Sequence, residues 1–261
     1  MTPAVSARIN AERFALLGWS RAILLQLAHP LVAAGVADHS SFREGRLTAA
    51  VRLHQTVRAM LSLTFSEEAG RAVTLEGIRT IHRRVNGTLR ESVGPFAAGM
   101  HYSAEDPSLL LWVHATLLES IPMVYERLSA PLGEEERDRY CQETAAVARA
   151  LGAVEGVPET WRDLREYMDR VYGTGEIVVG RQARELAQAV LAPPLAWLIA
   201  PAARVNRLFT VGLLPRLVRD QYGFRWTASD EGALNRWTIA LRTARRMTPD
   251  VVALWPEARR R

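Results

Sequence analysis

The apolar positions of the chain follow helical spacing, and patterns typical of β-strands are nearly absent. From residue 11 to residue 28 almost every face is apolar, which is typical of a helix surrounded by other helices. We therefore expect this segment to be the central element of the fold. Pro30 should end it at His29 and begin a short second helix, Leu31 to Ala37, before a polar break at residues 38–41.

Capping residues and punctuation place the remaining helices. We expect one helix from about Glu44 to Leu63, a second that Thr74 caps and that runs to about Ser92, and a third from Pro107 to Leu128 that Asp106 caps. No internal repeat or long linker divides the chain, so the sequence predicts one all-α domain, a multi-helix bundle over residues 1–261. Further helices are expected at Glu134 to Leu151, Thr160 to Val171, Gly180 to Leu191, Ala202 to Leu208, Pro215 to Tyr222, Ser229 to Arg246 and Thr248 to Trp255.

Composition places the chain among ordinary folded proteins. Of its 261 residues 48% are hydrophobic and 23% are charged, which is close to average globular usage. Cys141 is the single cysteine, so an internal disulfide and thiolate-bound zinc or iron–sulfur clusters are excluded, and a cytoplasmic location is the default expectation. The formal net charge is +5, but the arginines are scattered along the chain and form no nucleic-acid footprint.

Two segments bear on targeting and membranes. The N-terminus lacks a basic start followed by an apolar run, so no secretion signal is expected. Residues 189–203 are apolar but are interrupted by three prolines and fall short of the roughly 20 residues that a spanning helix needs. We expect a buried or interfacial turn there and no transmembrane segment.

His114 lies in the most apolar surroundings of any histidine in the chain. The residues three and four positions away are all leucines, at 110, 111, 117 and 118. A buried imidazole must find a hydrogen-bond partner or a metal, because an unsatisfied one costs on the order of a few kcal/mol. A core histidine bonded to a carbonyl and a metal ligand are both compatible with this spacing.

A basic group is expected on the helix that begins at Thr74. Arg79, His82, Arg83 and Asn86 follow helical spacing, so a cation, an imidazole and an amide can share one face. Such a face suits haem, whose iron binds imidazole and whose propionates bind arginine. The alternative is a solvent-exposed basic face without a ligand.

His29 and His39 bracket the short second helix. The small residues between them, at positions 33–35, would let a flat group approach the backbone, although close helix packing needs the same residues and is the interpretation that we favour. His54 and His101 have the surroundings of surface or boundary histidines. The Glu-x-x-His signature of di-iron proteins, zincin histidine pairs, a Gly-x-Ser-x-Gly elbow and a dinucleotide-binding glycine pattern are all missing.

Short motifs that contain these residues follow one another along the chain. They are Leu27-Ala28-His29-Pro30, Val32-Ala33-Ala34-Gly35-Val36, His39-Ser40-x-Phe42, Arg79-x-x-His82-x-x-Val85-x-Gly87, Tyr102-Ser103-Ala104-x-Asp106-Pro107 and Trp112-Val113-His114-Ala115-Thr116. This ordered set resembles that of the MpaB oxygenase and rubber oxygenase (latex clearing protein) family. The similarity runs from about residue 10 to residue 245.

The resemblance implies an all-helical fold with a pocket for b-type haem and activity as an oxygenase that cleaves carbon–carbon double bonds of isoprenoid chains. His114 would be the proximal ligand of the iron, and Arg79 the arginine of the haem pocket. His82 falls where rubber oxygenases carry a distal-side lysine, a residue that this chain lacks altogether. Arg83, His29 and His39 are the further candidates for contacts to the cofactor.

Together these patterns predict a haem-dependent oxygenase that uses dioxygen on a small lipophilic substrate, unsaturated or isoprenoid-like. In that interpretation His82 and Arg79 shape the oxygen-binding side of the iron. A second hypothesis is a non-catalytic helical protein that binds a lipid or a membrane surface through its apolar pocket and its arginines. Neither hypothesis requires nucleic acid, and both are compatible with peripheral membrane contact.

Overall fold

The computed structural model describes residues 4–39, 46–191 and 200–260, and this part of the chain is mostly helical. Its helices pack into a single body, which confirms the helical fold class. Short 3-10 segments lie at Arg13–Ala15 and Pro256–Arg260. The α-helices are α1 (Val5–Asn10), α2 (Leu16–Leu27), α3 (Pro30–His39), α4 (Arg46–Phe65), α5 (Glu68–His82), α6 (Pro107–Leu128), α7 (Glu134–Leu151), α8 (Trp161–Gly173), α9 (Arg181–Leu191), α10 (Ala200–Gly212), α11 (Arg216–Gln221), α12 (Ala228–Met247) and α13 (Asp250–Ala253).

The packing of α2 against α6 forms the centre of the body. Both helices are rich in residues buried in the main hydrophobic core, among them Leu24 and Leu25 of α2 and Trp112 of α6. At Gly18 the backbones approach so closely that an added Cβ atom would lie 2.7 Å from the carbonyl oxygen of Ser120. The prediction that residues 11–28 contain the central helix is therefore confirmed, but the helix begins at Leu16, after a 3-10 segment at Arg13–Ala15.

The corner after α2 forms where the proline predicts it. Helix α3 begins at Pro30 and the axis turns by 105° between the two helices. It continues through Asp38 to His39 because the polar residues there do not interrupt the backbone hydrogen bonds, so the break predicted at residues 38–41 is wrong for its first two residues. Residues 40 and 41 lie outside the described residues.

The segment around residues 66–103 departs most from the prediction. Helix α5 starts at Glu68 and ends at His82, and Thr74 lies inside it, where its hydroxyl donates a 3.0 Å hydrogen bond to the Gly70 carbonyl. The helix expected from Thr74 to about Ser92 is therefore wrong at both ends. The chain instead forms an antiparallel hairpin of β1 (Asn86–Thr88) and β2 (His101–Ser103), in which Gly87 is opposite Tyr102.

Most other predicted helices are confirmed to within a few residues. The Asp106 carboxylate accepts a 2.8 Å hydrogen bond from Ser108 N at the start of α6, and α7 has the expected bounds. Thr160 and Thr227 cap α8 and α12. Each hydroxyl accepts a hydrogen bond from the backbone N–H of the aspartate three residues on, whose carboxylate accepts one from the threonine N–H. The turn expected within residues 189–203 falls largely outside the described residues.

One helix of the described chain, α6, is long and apolar enough to cross a membrane, and α2 with α3 would also qualify if the bent pair were one span. Of the most apolar window of α6, 61% is buried inside the protein. Core helices of globular proteins have the same length and composition, so this property alone does not make α6 a membrane span.

Candidate functional site

His114 lies two turns into α6 and carries a buried nitrogen without a partner. Its Nε2 makes no hydrogen bond with any described residue. Burial lowers the pKa of His114 from 6.5 to about 4, so the ring is neutral at pH 7. A neutral imidazole nitrogen is the form that binds metals, and leaving it unsatisfied costs about 1–3 kcal/mol. The site is therefore one where a ligand atom would be stabilised.

His82 is the last residue of α5 and is the second histidine with such a nitrogen. Its Nδ1 is buried and has no hydrogen-bond partner within the described chain. Burial lowers the pKa of His82, and the charge of Glu105 opposes this shift more weakly. Both His82 and His114 are thus neutral at pH 7, and each has a lone pair that can bind a metal or accept a hydrogen bond.

A cavity of about 250 Å³ lies between α3, α5, β2 and α6, and His82 forms part of its wall. The wall is mostly apolar: α3 contributes Leu31 and Gly35, and α6 contributes Leu110 and Val113, one turn before and one residue before His114. Pockets for drug-sized ligands measure roughly 300–1,000 Å³. The cavity lies below that range, so the haem pocket expected from the sequence is not shown.

The cavity wall carries a few polar groups as well. Gln26 of α2 lines it while its amide donates a 3.1 Å hydrogen bond to the Thr116 hydroxyl. His39 also lines it, and its Nε2 donates a 2.8 Å hydrogen bond to the Asn86 carbonyl. His39 therefore joins the end of α3 to the hairpin.

His29, the other histidine beside α3, is not among the residues that line the cavity. Its Nδ1 accepts a 3.3 Å hydrogen bond from Leu31 N, and its ring centroid lies 5.0 Å from that of Phe96. Burial lowers the pKa of His29 to about 4. The contacts of His29 stabilise the corner between α2 and α3.

The two arginines expected beside the cofactor point elsewhere. Arg79 donates a 2.9 Å hydrogen bond from Nε to the Ala150 carbonyl near the end of α7, and Arg83 forms a 2.8 Å ion pair with Glu76. Both side chains are about half exposed, and no described arginine lines the cavity. Asn86 belongs to β1, so the predicted shared helical face ends at Arg83.

The small residues of α3 serve packing, as the sequence analysis favoured. Ala33 and Ala34 are buried in the hydrophobic clusters. A Cβ atom at Gly35 would lie 3.3 Å from Val85 and 3.6 Å from the ring of Tyr102. The absence of a side chain at Gly35 thus lets the hairpin close over the cavity.

Tyr102 is a residue of the cavity wall whose role sequence analysis missed. Its hydroxyl donates a 2.9 Å hydrogen bond to the Asp38 carboxylate, which in turn forms a 2.7 Å ion pair with Arg90. Burial and this hydrogen bond raise the pKa of Tyr102 to about 12. Tyr102 occurs in a motif of the resemblance, but nothing local signals its distant partner Asp38.

Arg21 of α2 was missed as well. It is 2% exposed and donates to the Leu213 carbonyl at 2.7 Å and to the Ser120 hydroxyl at 2.6 Å, with an ion pair to Glu119 at 2.8 Å. The signal available in the sequence is a single charge within the otherwise apolar segment 14–28. This group holds α2, α6 and the end of α10 together and lies outside the cavity wall.

A second, larger space is an open cleft of about 430 Å³ beside α4, lined in part by Arg58, Glu67 and Glu257. Among the described residues, no histidine lines it and no cluster of three or more His, Cys, Asp or Glu could hold a metal ion. His82 lines the smaller cavity, and His114 follows Val113 of its wall without lining the cavity itself. These two unpartnered histidines are therefore the better candidate site.

Comparison with known proteins identifies the family of the chain. The chain is 27% identical over 233 residues to the uncharacterized proteins Mb2261 of Mycobacterium bovis and Rv2237 of Mycobacterium tuberculosis, with 87% of this chain and 87% of each relative covered. No solved structure matches. The model of the family described as ER-bound oxygenase mpaB/B'/rubber oxygenase, catalytic domain, matches residues 7–246, and the chain belongs to that family.

Proposed function

We propose that the protein is a haem-dependent oxygenase that acts on a small lipophilic substrate, unsaturated or isoprenoid-like, with His114 as the iron ligand. Membership of an oxygenase family supports the reaction class. The single observation that carries the cofactor assignment is the buried, unpartnered Nε2 of His114. A metal would satisfy this nitrogen, and the chain provides no competing hydrogen-bond partner among its described residues.

The donor set fits haem, and the geometry around it allows the site to widen. A porphyrin exceeds the 250 Å³ cavity. We infer that α5, which forms part of the wall, moves outward to admit it. None of the residues of α5 is buried, and its side chains bond to neighbouring helices through Arg79 with Ala150 and Thr74 with Ser62. Helices that bury little apolar surface are the least costly to displace.

Arg79 and Arg83 would move with α5. Arg79 now bonds to a carbonyl and Arg83 to an exposed carboxylate. Both bonds contribute little energy, because water can solvate the arginine and its partner when they separate. We infer that they take the carboxylates of the bound haem, as the resemblance implies for Arg79. An arginine paired with a carboxylate forms a charge-assisted bond that is stronger than its bond to a carbonyl.

Haem would supply the iron that activates dioxygen, and the protein would position and shield it. His114 provides the lone pair of a neutral imidazole. His82 presents an unpartnered Nδ1 that can accept a hydrogen bond at neutral pH. Leu110 and Val113 exclude water and favour an apolar substrate, and Tyr102, held by Asp38, keeps the opposite wall in place.

An absorption spectrum of protein produced with added haem tests the proposal. We expect a Soret band that shifts with carbon monoxide after reduction, and loss of this band in His114→Ala with the fold retained. His101→Ala is the matched control, because His101 is exposed in β2. A colourless wild-type protein, or a His114→Ala variant with an unchanged spectrum, contradicts the proposal, and lipid binding without a metal would then favour the non-catalytic alternative.

A further inference from the structure

The excess positive charge of the chain is concentrated at one end. Residues 235–261 contain seven arginines and two carboxylates, Asp250 and Glu257, whereas the preceding residues contain 26 arginines and 26 carboxylates. The arginines are scattered, but outside this stretch carboxylates balance them. The formal net charge of +5 therefore belongs to residues 235–261 alone.

The same stretch exposes large aliphatic side chains. Ile239 and Met247 of α12 are 68% and 79% exposed, and Val251 and Val252 of α13 are 58% and 56% exposed. Burying such side chains is favourable by about 1.5–3 kcal/mol each, so a cluster of them in water indicates a contact surface. We call this surface the arginine–aliphatic face; it consists of Arg236, Ile239, Arg246, Met247, Val251 and Val252.

The two arginines of this face differ from their neighbours on α12 in having no bonding partner among the described residues. Arg242 donates to the carbonyl of Arg127, and Arg245 forms ion pairs with Glu12 and Asp250 at 2.8 and 2.9 Å. Arg236 and Arg246 are exposed and form no ion pair with the described residues. Helical spacing places them beside Ile239 and Met247 on the outer side of α12.

The face is also held in place before any partner binds. The Trp255 backbone N–H donates a 2.9 Å hydrogen bond to the Ala11 carbonyl, and the Arg13 guanidinium lies 5.3 Å from the Trp255 ring. These contacts, with the Arg245–Asp250 pair, fix α13 against the first turns of the chain. Docking would therefore require little ordering of the backbone.

We propose that the arginine–aliphatic face binds the surface of an anionic lipid bilayer. Arginines attract the negatively charged headgroups, and the aliphatic side chains enter the boundary with the acyl chains. Nucleic acid would also attract the arginines, but it offers no apolar phase in which the four exposed aliphatic side chains could be buried. This inference goes beyond the proposed oxygenase reaction and does not depend on haem, since none of these residues lines the cavity.

Co-sedimentation of the full chain with phosphatidylcholine vesicles, with and without phosphatidylserine, tests the proposal. We expect binding only when phosphatidylserine is present, and weaker binding as salt shortens the screening length from about 10 Å at 0.1 M to about 3 Å at 1 M. Arg236→Gln with Arg246→Gln should weaken the affinity about 30-fold, since each arginine near such a surface contributes about 1 kcal/mol. Met247→Ser with Val251→Ser should weaken it about tenfold or more.

Matched pairs of substitutions elsewhere provide the controls. Arg181→Gln with Arg216→Gln removes two exposed charges, and Val154→Ser with Leu217→Ser removes two exposed aliphatic side chains. We expect both to bind within about threefold of wild type, because their sites lie outside the face. Equal losses in the control pairs would overturn the proposal.

Three other outcomes would also overturn it. Equal binding to neutral vesicles would show that charge plays no part. A nucleic-acid surface would be identified if the protein bound duplex DNA but not vesicles, and if the arginine substitutions weakened DNA binding while the serine substitutions left it unchanged. A contact between two copies of the chain would be identified if the protein formed a dimer and bound no vesicles, and if Met247→Ser with Val251→Ser dissociated that dimer. We expect the haem spectrum to be the same in all these variants, so this proposal and the proposed function fail independently.

Discussion

The substitution Gly18→Ala should destabilise the protein although alanine is the better helix former. A Cβ atom at this position would lie 2.7 Å from the Ser120 carbonyl oxygen and 3.2 Å from the Ile121 Cα atom. Both are backbone atoms of α6, so no side-chain rotation relieves the overlap and the two helices must separate by several tenths of an ångström. Overpacking of this kind costs about 1–3 kcal/mol.

The gain in helix propensity offsets up to about 1 kcal/mol of that cost. We therefore expect Gly18→Ala to lower the free energy of unfolding by about 1–2 kcal/mol and Tm by about 2–6 °C, measured by urea and thermal unfolding. Gly77→Ala on α5 is the control, because a Cβ atom there meets nothing within 4 Å. It should be neutral or stabilising by up to about 1 kcal/mol. A Gly18→Ala variant as stable as Gly77→Ala would refute the close packing of α2 on α6.

Two further substitutions follow from buried ionisable groups. His114 and His29 have pKa values lowered from 6.5 to about 4, so the folded state binds fewer protons than the unfolded state between these values. These two groups should leave the free energy of unfolding constant above about pH 6.5 and lower it as the pH falls towards 4. In His114→Gln the urea midpoint should therefore fall less steeply with decreasing pH than in the wild type, and an equally steep fall would contradict this. Arg21→Leu should cost about 3–5 kcal/mol, because Glu119 and the Leu213 carbonyl lose their partner. Unfolding in urea measures this cost, and a loss below 1 kcal/mol would show that the group is solvated.

The helices that sequence predicts well are those whose ends depend on local bonds. Asp106, Thr160 and Thr227 each bind a backbone N–H two or three residues on, so the signal and its partner are adjacent in the chain. The apolar segment before Pro30 was equally clear. Thr74 shows the limit of this reasoning, because its hydroxyl bonds to the Gly70 carbonyl inside a helix that had already begun.

The hairpin could not be predicted because its determinants are distant from one another. Each strand has three residues, and its closure depends on Gly87, where a Cβ atom would lie 2.6 Å from the Tyr102 hydroxyl. That hydroxyl is in turn held by Asp38 from another helix. Spacing within a single segment contains none of this information.

The candidate site was predicted in part for the same reason. Leucines around His114 predict its burial, and the structure confirms that its Nε2 is buried. Arg79 and His82 are three residues apart on one helix, yet the longer side chain of Arg79 reaches the Ala150 carbonyl while His82 faces the cavity. Which neighbour a long side chain finds depends on tertiary packing. The roles of His114, His82 and Arg79 towards haem stay predictions.

The most direct test of the account is rescue of haem binding by free imidazole. His114→Gly removes the proposed ligand and leaves space for an imidazole molecule in its place. We predict that this variant binds haem weakly, and that added imidazole restores the Soret band of the wild type while His101→Gly needs no imidazole. Full haem binding by His114→Gly without imidazole would contradict the assignment of residue 114 as the iron ligand.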